Sequence, residues 1–225
     1  MIRRIIFGTV AVSLVAAAAY CAFFVAPEES TMGALQRLFY FHAAAGWAGE
    51  TVFGLCFLSN LLYVWRRSPR FDWLGVTCAE VGLVFITIVL ITGPIWAKPA
   101  WGIYLTWDAR LTSTFVLWLL YICYLLLRTL IDEPDRRALL SALFGIFAFI
   151  DVPIVFGAIR WWRTQHPAPV IMGGANSGLD PIMKKVFFFN VLALHVLAAF
   201  FIVERYLLEK AKCEIEILKE ETESR

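Results

Sequence analysis

The sequence predicts an all-α integral membrane protein, a bundle of six transmembrane helices with a tryptophan-rich loop on one face. Three observations carry that prediction. Sixty per cent of the 225 residues are hydrophobic, 16% are aromatic and 17% are charged, far from the balance of a soluble globular chain. Nearly uncharged runs of about 20 residues or more recur along the chain, each long enough to cross a bilayer. The connections between them are short, so the whole of 1–225 reads as one membrane domain without a soluble domain.

The six expected spans cover about 5–26, 41–65, 73–97, 111–131, 138–159 and 186–208. The first is expected to remain in the protein. It is too long for the apolar core of a signal peptide, and no small-x-small site precedes Glu28-Glu29. Orientation follows from Lys and Arg, which favour the cytoplasmic side. With an inner amino terminus, 13 basic residues fall inside and 7 outside, the inner set including the compact run Arg66-Arg67-Ser68-Pro69-Arg70. Both termini are therefore expected in the cytoplasm, with 209–225 as a solvated extension of the last helix. The net charge is only +2, and no basic stripe of the kind nucleic acid requires is present.

Three segments then lie outside: 27–40, 96–110 and 160–185. The second holds Trp101-Gly102-Ile103-Tyr104-Leu105-Thr106-Trp107-Asp108. An aromatic, nearly uncharged surface at a membrane boundary suits a large planar apolar ligand with one wet edge. The third is the longest connection, opens on Arg160-Trp161-Trp162-Arg163 and is rich in Gly and Pro; long loops in compact proteins are usually functional or disordered.

Five cysteines without a Cys-x-x-Cys leave a redox dithiol, a zinc knuckle and covalent c-type haem attachment unsupported. No Gly-x-x-x-x-Gly-Lys-Ser/Thr loop is present, so ATP hydrolysis by that route is excluded. Of the three histidines, His42 stands at the outer start of the second span and His166 in the third outer segment. His195 lies inside the sixth span, about 13 Å from its outer end at 1.5 Å per residue. Imidazole ligates haem iron, and two of them can clamp it. Outer histidines flanking an aromatic loop are what a surface haem site needs. The same residues also fit an ordinary interfacial aromatic belt, and the residues alone do not say which two histidines form a pair. Glu50, Glu80 and Asp151 fall within spans, where ionisable groups are costly and usually face a partner.

The run Gly93-Pro94-Ile95-Trp96-Ala97-Lys98-Pro99-Ala100-Trp101-Gly102, continued by Trp107-Asp108-Ala109-Arg110-Leu111-Thr112-Ser113, resembles the tryptophan-rich signature of haem-handling membrane proteins. The Asp-Ala-Arg-Leu-Thr-Ser ending is the form found in the CcmC family, haem exporter protein C of cytochrome c maturation; cytochrome c synthases usually carry Asp-Pro-x-Glu there. Arg37-Leu38-Phe39-Tyr40-Phe41-His42 and Trp161-Trp162-Arg163-Thr164-Gln165-His166, followed by Asp180-Pro181, resemble that family's two histidine motifs. The resemblance covers roughly 5–208.

The resemblance implies that His42 and His166 are axial haem ligands and that His195 packs between helices. It implies a platform containing Trp101, Trp107 and Asp108, to which Gly102, Tyr104, Trp161 and Trp162 are added as neighbours. Arg110 and Arg163 are candidate partners for haem carboxylates, because guanidinium binds carboxylate bidentately. The chain departs from the family at Tyr104-Leu105, at Ala43-Ala44 after the first histidine and at Gln165 before the second. The implied role is non-enzymatic: transient, non-covalent b-type haem held at the outer face of the inner membrane and passed to the haem chaperone CcmE. The implied partners are the ABC transporter subunits CcmA and CcmB, the small protein CcmD and membrane lipid. A cytochrome b-type redox protein using His195 and a cytochrome c synthase component are the rival readings.

Overall fold

The computed structural model describes residues 1–162, 164, 166, 171 and 178–223. Arg163 and Gln165 lie outside the described residues. The described residues form helices and connections without a strand, and six helical stretches are long and apolar enough to cross a membrane. The expected all-α six-span architecture is therefore the one observed, and the protein is a multi-pass membrane protein.

The first stretch is α1 (Ile2–Tyr20), which loosens into a π-helical turn over Cys21–Val25. After a single 3-10 turn at Ala34–Arg37, α2 runs from Leu38 to Arg66. Its end is set by Arg67, in the left-handed region at φ 54°, with Ser68-Pro69 following; the residue before a proline is driven out of helix. Pro69 occupies the first turn of α3 (Pro69–Trp101), where its missing N–H costs nothing. Asp108 caps α4 (Ala109–Thr129) by accepting from the Leu111 N–H at 2.9 Å. Glu133 caps α5 (Pro134–Ala148) in the same way through the N–H groups of Asp135 and Arg136. The final helix, α7, spans Pro181–Glu223.

Two boundaries differ from expectation. The segment 96–110 does not begin as a loop: α3 continues through Pro94 and Pro99 to Trp101 and stops only at Gly102, whose φ of 80° suits glycine. The aromatic signature is thus half helix, half loop. The fifth span is not one helix. It breaks at Phe149-Ile150 before α6 (Asp151–Trp161), because Pro153 can neither donate to the Phe149 carbonyl nor sit beside it without a clash.

α2 and α3 form the most extensive helix pair; α7 packs on α1, α2 and α3, α5 on α2 and α4, and α4 on α3 and α6. The central core gathers Phe53, Phe85, Ile86, Leu117 and Tyr121. Phe53 stacks on Tyr121 with ring centroids 3.5 Å apart. A Cβ at Gly82 would stand 2.4 Å from Phe53 Cε1, so the glycine is what lets α2 and α3 close. Phe53 is fully buried and held by Tyr121 and cannot step aside. Gly82→Ala is therefore expected to destabilise by about 1–3 kcal/mol, read as a lower unfolding temperature in detergent.

His42 and Trp101 mark one end of the bundle. Ion pairs tie the other end. Arg4 of α1 pairs with Glu204 of α7. Arg205 of α7 grips Glu80 of α3 through two contacts, the longer at 2.7 Å. Arg128 of α4 grips Asp72 of α3 at 2.6 and 2.9 Å. Glu80 is thereby accounted for as an inter-helix partner. Asp151 is buried, and among the described residues its Oδ2 has no hydrogen-bond partner.

Candidate functional site

His42 occupies the second turn of α2 and is 8% exposed. Its ring is set by the facing end of α3. Nδ1 lies 2.8 Å from the Thr92 hydroxyl, the Trp96 ring meets it edge-on with centroids 5.8 Å apart, and a Cβ at Gly93 would come within 3.6 Å of Cε1. Thr92 and Trp96 are four residues apart, so one face of α3 presents both.

His166 arrives from the connection after α6. Its backbone N–H donates to Thr164 Oγ1 at 2.8 Å, and its ring packs edge-on against Trp101 with centroids 5.9 Å apart. Loss of hydration, reinforced by the Arg110 charge and opposed by Asp108, pushes the His166 imidazole down to about 4. It is therefore neutral at neutral pH, the form that can ligate a metal. Although 124 positions separate them in sequence, His42 and His166 lie close enough to interact electrostatically. His195 is elsewhere and fully engaged: Nδ1 faces the Val191 carbonyl at 2.7 Å and Nε2 the Thr51 hydroxyl at 3.2 Å. Neither of its nitrogens is left for iron.

The other candidates divide into surface and support. Tyr104, Trp107, Trp161 and Trp162 are all more than half exposed. Trp107 leans edge-on against Phe115, and Trp161 against Trp162. Lys98 donates to the Gly102 carbonyl at 2.9 Å and lies over the Tyr104 ring at 5.1 Å, which gives the turn after α3 its shape. Trp101 and Gly102 end α3. Asp108 caps α4. Arg110 does not stand at the rim; it reaches back to the Val155 carbonyl of α6 at 3.0 Å. Its charge is felt by His42, His166, Glu50 and Asp108. Arg163 is outside the described residues.

Sequence reasoning missed Thr92, Gly93 and Trp96 as neighbours of His42, and the coupling of Glu50 to Arg110. Gly93 and Trp96 belong to the quoted motif and Thr92 directly precedes it, but only the register of α3 against α2 reveals their role. Among the described residues, no group of three or more His, Cys, Asp or Glu side chains could hold a bare metal ion. Two imidazoles, each beside a tryptophan ring, are instead of the kind that can ligate an iron macrocycle, whose ring supplies the remaining ligands.

The profile of the family described as "Heme exporter protein C" matches residues 2–223. "Heme exporter protein C" of Bradyrhizobium diazoefficiens is 34% identical over 181 residues, covering 77% of this chain and 68% of that protein. The protein of that name in Escherichia coli K12 is 29% identical over 175 residues, covering 77% and 70%. A cytochrome c biosynthesis ccmC-like mitochondrial protein of Arabidopsis thaliana is 32% identical over 209 residues, covering 90% and 79%. With a match along nearly its whole length and six membrane spans, the chain belongs to the haem exporter protein C family of cytochrome c maturation.

Proposed function

We propose that this protein binds haem between His42 and His166 at the outer face of the cytoplasmic membrane and passes it to the haem chaperone CcmE. The observation that carries the reading is the convergence of two imidazoles from remote segments at the aromatic end of the bundle. Haem is the cargo, held non-covalently as b-type haem and released. Trp101, Trp107 and Tyr104 supply apolar and aromatic surface for the macrocycle, with Trp161 and Trp162 as its outer border. Arg110 supplies fixed positive charge beside both histidines, which favours an anionic cargo; Arg163 remains a candidate partner for the haem carboxylates.

The chain's part is to hold and present, not to break bonds. A cargo held at a helix-end surface keeps an open edge for a second protein to take. ATP-driven release is assigned to CcmA and CcmB, with CcmD as an accessory subunit. The bias of basic residues supports both termini in the cytoplasm and the histidine end in the periplasm. Occupation of both His195 nitrogens counts against a redox protein with haem buried between helices.

The test is transfer. Protein purified from haem-replete cells should show a Soret band, and mixing with the soluble domain of CcmE should move haem to the chaperone. A colourless preparation that also fails to take up added hemin overturns the reading.

A further inference from the structure

We propose that Thr92 is a positioning residue that fixes His42 in the Nδ1–H tautomer, so that Nε2 is the nitrogen offered to iron. The inference rests on the haem reading above and assigns a role within that site. The Thr92 hydroxyl has a single proton, and the Ile88 carbonyl lies 2.7 Å from Oγ1, one helical turn back. A second carbonyl, of Val89, lies at 3.4 Å. The proton is therefore committed to the helix backbone, as threonine hydroxyls in apolar helices commonly are. The 2.8 Å contact between Oγ1 and His42 Nδ1 then has to be supplied by the proton on Nδ1. The reverse assignment would spend the one hydroxyl proton twice.

A neutral imidazole with its proton on Nδ1 carries its lone pair on Nε2. Among the described residues nothing occupies that nitrogen. Trp96 and Gly93 bound the ring on the α3 side without offering it a hydrogen bond. The arrangement matches a general rule of metal sites, where the outer partner of a ligating histidine selects its tautomer and ring orientation. Here the partner is a hydroxyl rather than a carboxylate, so the imidazole is held without becoming imidazolate-like. A neutral, modestly basic ligand suits a cargo that must leave again.

The test uses full-length protein with hemin as the probe. Thr92→Val removes the acceptor at nearly constant volume and Thr92→Ser keeps it. Hemin affinity is expected to fall about 10–100-fold in the valine variant, with a weakened low-spin bis-imidazole signal, while the serine variant behaves as wild type. Equal affinity and spectra in wild type and Thr92→Val overturn the proposal. His42→Ala and His166→Ala separate the two levels: if they bind hemin as wild type does, the haem reading fails and this role with it. If they lose hemin while Thr92→Val does not, only the positioning role fails. Should the valine variant not fold, His42→Gly with added ligands decides. Imidazole, which can donate to Thr92, should restore the low-spin spectrum at lower concentration than 1-methylimidazole, after correction for their ratio on free hemin. No preference overturns the proposal.

Discussion

Replacing His42 or His166 by alanine is expected to abolish the low-spin haem spectrum of the purified protein, whereas His195→Ala keeps it. The reasoning is one of available nitrogens. His42 has one ring nitrogen on Thr92 and the other uncommitted among the described residues, while His195 has both taken by its own helix and by α2. Loss of an outer partner of a metal ligand typically costs 10–100-fold in affinity; loss of the ligand itself should exceed about 100-fold. Each single variant is expected to be as damaging as the pair, since one remaining imidazole cannot form the bis-histidine state. The measurement is the Soret and α-band spectrum with haem quantified per protein. Loss of haem in His195→Ala with retention in the other two would move the site into the bundle and revive the cytochrome b-type reading.

Arg128→Ala is expected to be the most damaging change remote from the histidines. Arg128 and Asp72 form a two-contact pair whose side chains are 9% and 13% exposed. Removing the arginine leaves a buried carboxylate on α3 with no counter-charge, a loss of about 3–5 kcal/mol for buried pairs. Within apolar surroundings the cost of the orphaned charge dominates, not the lost attraction. Asp72→Leu combined with Arg128→Leu should therefore recover much of the loss, because neither charge is left alone. Thermal unfolding in detergent checks both. A double variant no more stable than Arg128→Ala would show that the pair supplies geometry that apolar packing cannot replace.

The six-span fold was legible because an uncharged run of 20 residues has few outcomes in lipid: its backbone must satisfy itself, and a helix does so. The ends were less legible. The third span was expected to end at about 97, yet α3 runs on through Pro99 to Trp101; Pro153, one residue type with the same covalent restriction, did break the fifth span. The site was half legible. Motif resemblance singled out His42 and His166, which lie within electrostatic reach of one another. It could not show Thr92 beside His42, since that contact depends on how far α3 slides along α2. Asp108 read as a platform residue serves as a helix cap, a role that an Asp just before an apolar periodic run signals. Arg110 looked free to meet a cargo carboxylate, but the turn at the start of α4 aims it at Val155.

The ion pairs at the end of the bundle away from His42 have a dynamic consequence. Arg4, Arg205 and Arg128 stitch α1, α7, α3 and α4 together there. At the histidine end α3 finishes in a turn at Gly102, and the rings of Tyr104, Trp107, Trp161 and Trp162 are exposed. Resistance to local opening is therefore graded along the membrane normal, stiff where charge is fastened and yielding where the aromatic turns lie. Amide hydrogen exchange should run in that order, slow around Asp72 and Arg128 and fast from Trp101 to Asp108. Such a gradient lets the histidine end breathe while the rest of the molecule keeps its shape, as the proposed capture and release of a flat guest requires.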